Sequence, residues 1–379
     1  MSFSWESNTS YIFGINESIL NMSGITKVYL FDLDYTLIKT KSGKKFPVSK
    51  SDWEPLDPKI LTKITLLKEK SNNLIGIISN QGGLKTPNQI SEWKEKLDEI
   101  KDKINIDFVF ASIVSDRFRK PLPGSYEFIS NRINNVGWTK LLSLKKIYYI
   151  GDAFGRENDF SDGDIKYAIN CGFKPMTPEL FFGLNKIDSN NKIVREATIS
   201  YPELNYFTES EQNNFFQKLF SLIKSKSKVL IITIGLPASG KSFLRKEIIK
   251  EFPQFYYSNN DDFMEKVQSR TLVKKISNEY DYVIDDNTNM KHQELELKLS
   301  QFKHHYKIGI WFDHNLEVCW HLNWMRMYWF GGKLLPKVSY HTLNKYFDQT
   351  NISNNFDTFE RVDKIFKEFN IDSKIKYYF

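Results

Sequence analysis

Cysteine is nearly missing from this chain: 379 residues hold two, Cys171 and Cys319, far apart. That excludes a disulfide framework and a cysteine-based zinc site, and points to a reducing compartment. Long hydrophobic runs are missing too. No apolar stretch approaches the roughly 18 to 20 residues of a membrane span, and Met1 to Ser10 lacks the basic flank and apolar centre of a secretion signal. A soluble intracellular protein without a membrane partner is expected. None of the six histidines begins a His-x-Thr/Ser motif, so paired motifs of a cyclic phosphodiesterase are excluded. What is abundant is core material: hydrophobic residues at 41% and aromatics at 15% exclude a disordered chain. At about 100 to 200 residues per domain the length suggests two domains. Lys+Arg 53 against Asp+Glu 46 gives +7, which permits a polyanionic partner without requiring one.

The chemistry is most legible in the second half. The apolar run Val229 to Ile234 predicts a buried strand, and Gly235-Leu-Pro-Ala-Ser-Gly240-Lys241-Ser242 follows it at once. The pattern G-x-x-x-x-G-K-[ST] places glycines where backbone N–H groups close on phosphate, a lysine for the β/γ-phosphates and a hydroxyl for Mg²⁺. Gly235, Ser239, Gly240, Lys241 and Ser242 are therefore the candidate ATP-binding residues, with Ser242 also a metal ligand. A helix over Phe243 to Ile249 supplies the context the motif needs.

The first half alternates strand and helix, which implies a parallel sheet. Lys27 to Phe31 predicts a strand ending in Asp32-Leu33-Asp34, two carboxylates one residue apart at a strand's carboxyl end, where open α/β sheets bind ligands. One carboxylate can attack phosphorus while the other gives a proton to the leaving oxygen and later takes one from water. A single Mg²⁺ would hold such an array together. Asp57-Pro58 and Thr86-Pro87 read as helix starts, the second with Ile90, Trp93, Leu97, Ile100 and Ile104 on one face. Strands Leu74 to Ile78, Phe108 to Ile113 and Lys146 to Ile150 lead to Ser79-Asn80-Gln81-Gly82-Gly83, Arg119-Lys120-Pro121 and Gly151-Asp152.

Taken in order, these four motifs resemble the haloacid dehalogenase superfamily of aspartate-nucleophile phosphatases. The resemblance implies Asp32 as nucleophile and Asp34 as general acid/base, with Ser79 and Lys120 on the phosphate. Asp152 would join the Asp32 carboxylate and the Asp34 carbonyl in a Mg²⁺ site. The strings Phe31 to Ile38, Ser79 to Gly83, Arg119 to Pro121, and Gly151 to Arg156 with Asp159-Phe-Ser161 and Asp164 look like the phosphatase domain of the polynucleotide kinase 3′-phosphatases. Tyr35 stands where that family usually has glycine. Strand spacing leaves no room for a large cap, so an open site suited to a DNA end is implied. Histidinol-phosphatase-like enzymes share the Asn-Gln-x-Gly turn, but usually carry a cysteine-rich zinc loop that is missing here.

The second half resembles the kinase domain of the same family. Asp261 matches its catalytic aspartate, Asp286 to Asn289 its strand-end motif, His321-x-Asn323-x-x-Arg326 its phosphate-contacting arginine, and Lys337 to Phe347 its closing region. Read from the residues alone, Asp285 or Asp286 could sit near Mg²⁺. Asp262 competes with Asp261 and would cap a helix near Phe263. Asn260 stands where arginine is common. The cluster Trp311, Trp320, Trp324, Tyr328, Trp329 and Phe330 reads as core packing of a helix in preference to base stacking.

The expectation is an α/β protein with two doubly wound parallel-sheet domains, an uncapped haloacid dehalogenase-like domain followed by a P-loop kinase domain. The boundaries are residues 1–26 as an N-terminal arm, 27–190 as phosphatase, 191–226 as linker and helix, and 227–379 as kinase. The family's animal members begin with a phosphothreonine-binding domain, which the short N-terminal segment is expected to lack. The implied activity hydrolyses 3′-phosphates and transfers the ATP γ-phosphate to 5′-hydroxyl ends, with Mg²⁺ as cofactor. The partners are nucleic-acid ends, DNA before RNA, and a monomer is expected. The alternatives are RNA end repair by the same chemistry, or a strand-break binding protein with only the phosphatase active.

Overall fold

The computed structural model of the chain describes residues 3–69, 72–184, 202–258, 270–347 and 352–367. The chain forms two compact units, one built on Met1–Tyr201 and one on Pro202–Ile375. No helix among the described residues is long and apolar enough to cross a membrane.

In the first unit the strands are β1 (Ser4–Ser7), β2 (Tyr11–Ile15), β3 (Lys27–Phe31), the two-residue ribbon β4 (Ile38–Lys39) and β5 (Glu54–Pro55), β6 (Asn73–Asn80), β7 (Phe108–Ser112), β8 (Ile147–Ile150) and β9 (Lys174–Met176). The main sheet runs β1-β2-β7-β6-β3-β8-β9, parallel from β7 to β9. Its helices are α1 (Lys59–Glu69), α2 (Pro87–Ile104), α3 (Gly124–Arg132), α4 (Trp138–Ser143), α5 (Gly163–Asn170) and α6 (Pro178–Phe182). Helix α2 starts at a capping box, with Thr86 and Gln89 each satisfying the other's backbone N–H. Its Trp93, Leu97, Ile100 and Ile104 join one core layer, while Val28, Leu30, Ile78 and Tyr149 join the layer on the opposite face of the sheet.

Residues 3–26 do not form an arm. Strand β2 is buried throughout and pairs antiparallel with β7, and β1 pairs with β2 at the edge. Tyr11-Ile-Phe-Gly-Ile15 is too short to stand out in sequence, and Gly14 leaves room for the Trp5 ring across the pair. The sheet is accordingly mixed, with its antiparallel pairings confined to that edge.

The second unit holds α7 (Glu209–Lys224), β10 (Val229–Gly235), α8 (Lys241–Glu251), β11 (Tyr256–Ser258), α9 (Arg270–Glu279), β12 (Tyr282–Asp285), α10 (His292–Gln301), β13 (Tyr306–Phe312), α11 (Leu316–Phe330), α12 (Lys337–Tyr346) and β14 (Thr358–Val362). Its sheet is parallel throughout, in the order β11-β12-β10-β13-β14. Helix α7 begins at the Thr208/Glu211 capping box and buries Phe216, Leu219 and Ile223 against Val229, Ile231, Leu244 and Ile248. It therefore belongs to this unit's core and is not a free linker helix. Of the aromatic cluster on and before α11, Trp324 and Tyr328 are buried as core packing requires, Trp311 and Trp320 are half-buried, and Trp329 and Phe330 at the helix end are exposed.

Candidate active sites

Both sheets place their chemistry at the carboxyl ends of central strands, where the strand order reverses. In the first unit β3 lies between β6 and β8, so the segments after all three strands converge. The Asp32 backbone N–H donates to the Ile150 carbonyl at 2.8 Å, fixing the start of the Asp32-Leu-Asp34 turn beside β8.

Around that turn sits a compact charge cluster. The Lys120 ammonium donates at 2.7 Å each to Asp32 Oδ1, Asp164 Oδ1 and the Tyr149 hydroxyl. Asn80 brackets the Lys120 backbone, donating to its carbonyl and accepting from its N–H, both at 3.0 Å. Asp32, Asp152 and Asp164 each offer a carboxylate oxygen, all within 4.8 Å of one another. Burial, followed by repulsion from Asp164 and Asp152, raises the Asp32 carboxyl to about 7 against the pull of Lys120. Burial and Asp164 raise Asp152 to about 6. Burial also works against the Lys120 ammonium, but the two carboxylates outweigh it and hold that group above the ordinary lysine value.

The Asp34 carboxylate faces a different partner: Gln81 Nε2 donates to it at 2.8 Å and to Ser79 Oγ at 3.0 Å. Thr36 donates to Asp152 at 3.3 Å. Between them Tyr35 has φ 56°, in the left-handed region, which costs a residue other than glycine roughly 1 to 2 kcal/mol. Tyr35 also ties the site to a rim, since its hydroxyl donates to the Lys45 carbonyl at 3.2 Å. Lys45 in turn lies 4.7 Å over the Phe160 ring, and both Phe160 and Phe46 are largely exposed.

Asp164 is the functional candidate that reading for site residues missed. It lies in the first turn of α5 and accepts from the Ala153 N–H at 3.0 Å; the family-like string after Gly151 includes it, but its spacing assigned it no role. Asp159 instead clamps Arg156, whose Nη2 donates to the Asp152 carbonyl at 3.0 Å.

In the second unit the loop after β10 leads into α8. Gly235 has φ 147° and its N–H donates to the Thr288 carbonyl at 3.0 Å; a Cβ there would meet the Phe312 carbonyl oxygen at 2.8 Å. Gly240 has φ 102° at the helix N-cap. The Lys241 ammonium reaches back across the loop to the carbonyls of Gly235, at 3.1 Å, and Leu236, at 2.6 Å, and to Ser239 Oγ, at 3.2 Å.

The structure separates the two acids after β12. Asp286 is buried and accepts from Arg245 Nε at 2.9 Å; burial raises its carboxyl against Lys241, the Ser242 hydroxyl and Arg245. Asp285 is turned to Lys298 at 2.5 Å, on α10. Asp286 is therefore the acid beside the loop. Arg326 Nη2 donates to Asn323 Oδ1 and to the Lys333 carbonyl, both at 3.1 Å, so here it braces the segment between α11 and α12. Asn260, Asp261 and Asp262 lie outside the described residues.

Comparison with known proteins fits both halves. A sequence model of the polynucleotide kinase 3 phosphatase family matches residues 27–182. A Schizosaccharomyces pombe protein named bifunctional polynucleotide phosphatase/kinase is 29% identical over 345 residues, covering 89% of this chain and 79% of that one. A mimivirus protein named putative bifunctional polynucleotide phosphatase/kinase is 28% identical over 404 residues, covering 97% and 92%. The polynucleotide 3′-phosphatase of Saccharomyces mikatae is 30% identical over 206 residues, covering 41% of this chain and 84% of its own length.

Proposed function

This chain belongs to the polynucleotide kinase 3′-phosphatase family, and from that membership we propose how its two sites divide the work. The protein heals nucleic-acid ends, hydrolysing 3′-phosphates and transferring the ATP γ-phosphate to 5′-hydroxyls. The phosphatase is assigned to the Met1–Tyr201 unit and the kinase to the Pro202–Ile375 unit.

In the phosphatase reaction an Asp32 carboxylate oxygen forms a bond to phosphorus as the bond to the sugar 3′-oxygen breaks, and Asp34 gives its proton to that leaving oxygen. Asp34 then takes a proton from water, whose oxygen attacks phosphorus and frees Asp32 and inorganic phosphate. Lys120 and Ser79 hold the phosphoryl oxygens, and Gln81 keeps Asp34 in reach. The donor set suits Mg²⁺: three carboxylates lie together beside one lysine that hydrogen-bonds only two of them, Asp32 and Asp164, and burial with mutual repulsion raises Asp32 and Asp152, a strain that a hard divalent cation would relieve. The Asp32 carboxylate, the Asp34 carbonyl and Asp152, with Asp164 beside them, would hold the ion, which would supply neutralisation of charge on the phosphoryl oxygens.

In the kinase, the loop from Gly235 to Ser242 cradles the ATP phosphates, Lys241 swings from its loop carbonyls onto the β/γ-phosphates, and Arg326 adds a phosphate contact. Ser242 and Asp286 would hold Mg²⁺, and Asp261 takes the proton of the attacking 5′-hydroxyl. We assign DNA ends as the substrate in strand-break repair. The exposed rings of Phe46 and Phe160 beside Lys45 suit stacking on bases next to a phosphate.

The observation that carries this reading is the three-way grip of Lys120 on Asp32, Asp164 and Tyr149 at the strand ends. The test uses oligonucleotides ending in 3′-phosphate or 5′-hydroxyl, in DNA and RNA. Asp32→Asn abolishes 3′-phosphate release and leaves 5′ labelling intact, while Lys241→Ala does the reverse, losing several orders of magnitude in labelling. Loss of both activities in either variant, with the circular dichroism unchanged, rules out separate sites.

A further inference from the structure

One buried hydroxyl outside the four phosphatase motifs touches their charged groups directly. Tyr149, in β8, has no exposed surface. Its oxygen accepts from Lys120 at 2.7 Å and lies 3.0 Å from the Ile78 carbonyl and 3.2 Å from Asp164 Oδ1. A phenol has one proton to give, and both the Asp164 carboxylate and the carbonyl of Ile78, the residue before Ser79, lie within its reach. Burial, with Asp164 and Asp32 nearby, holds the phenol well above its ordinary range, so it stays protonated.

An ammonium has three N–H groups, and Asp32, Asp164 and Tyr149 take all three of Lys120's. Tyr149 is the one neutral acceptor of the set. It fixes the rotation of the ammonium without adding a charge, and it links that group to the end of β6.

We propose that Tyr149 is a positioning residue of the phosphatase reaction, its hydroxyl holding the Lys120 ammonium in register with Asp32 and tying it to the strand end that bears Ser79. The inference rests on the assignment of Asp32 and Lys120 made above.

The test compares two single-oxygen deletions in the full-length protein. Tyr149→Phe keeps the ring, packed 5.0 Å from Tyr167, and removes the acceptor. Tyr167→Phe removes a hydroxyl equally buried in the same core, paired at 2.8 Å with Ser125 and not with Lys120. On a 3′-phosphorylated oligonucleotide, Tyr149→Phe is expected to lower kcat about ten- to a hundredfold, as for a lost hydrogen bond to a charged group, with KM nearly unchanged. Tyr167→Phe keeps kcat while its melting temperature falls by a comparable amount. In a Lys120→Met background, where the ammonium is already gone, Tyr149→Phe adds no further loss in single-turnover rate.

Equal losses of kcat in the two phenylalanine variants, a wild-type kcat in Tyr149→Phe, or a full additional loss in the Lys120→Met background overturns the inference. If Asp32→Asn is inactive while Tyr149→Phe turns over normally, the positioning role alone falls. If Asp32→Asn remains active, the reading of the site falls with it.

Discussion

Lowering the pH should weaken the kinase unit through one histidine. His314 follows β13, its Nε2 is buried without a hydrogen-bond partner among the described residues, and its ring lies edge-on to Phe312. Burial lowers its pKa to about 4, helped by Lys241 and opposed by Asp313, Asp363 and a backbone hydrogen bond at Ser239. A histidine in the unfolded chain titrates near 6.5. Because the folded value is the lower one, folding favours the neutral ring. The contribution is complete above about pH 6.5, drains as the pH falls from about 6.5 to about 4, and is constant below that. At pH 5 the unfolded chain has taken up the proton and the folded chain has not, a difference of about 1.5 pH units or about 2 kcal/mol. His314→Asn removes the titration. Urea unfolding of both proteins at pH 7, 6 and 5, with the kinase transition identified by its shift on adding ATP, should show the wild type losing about 2 kcal/mol more than the variant between pH 7 and 5. Stability curves that stay parallel over that interval would mean that burial does not hold the ring neutral.

Gly151→Ala should damage the phosphatase from a position that carries no chemistry. A Cβ there would lie 2.2 Å from Asp164 Oδ2, so the carboxylate must move off Lys120. The expected result is a loss of about 1 to 3 kcal/mol in stability and at least tenfold in 3′-phosphate release; a variant with wild-type kinetics would show that Asp164 is dispensable. Asp286→Asn removes the charge beside Ser242 and Arg245, so 5′ labelling should need more Mg²⁺ while phosphate release is untouched. Titrating Mg²⁺ against both activities checks this, and Asp285→Asn, on the Lys298 side, should leave the Mg²⁺ requirement as it is. Asp261→Asn should slow phosphoryl transfer at saturating ATP with little change in ATP affinity, which steady-state kinetics can refute directly.

Much of the site could be read before the fold because strand, loop and helix are local. An apolar run ending in Asp32-Leu-Asp34, or in Gly235 to Ser242, carries its chemistry within a few residues of the strand that positions it. The helix start at Thr86-Pro87 was equally local, since the proline sits in the first turn it opens. Tertiary structure alone decided matters of direction and distance. Asp285 and Asp286 are neighbours, yet successive residues leave a strand on opposite sides, and only the packed sheet puts Lys298 on one side and Arg245 on the other. Asp164 meets Lys120 across 44 residues, and Tyr149 meets it across 29, contacts that have no spacing rule to announce them. Strand β2 needed β7 across roughly a hundred residues to become a strand at all. The apolar face of α7 packs against the layer formed by β10 and α8, a partner that its composition does not select. Composition determines that a face must be covered; which surface covers it depends on where the chain has brought the other elements.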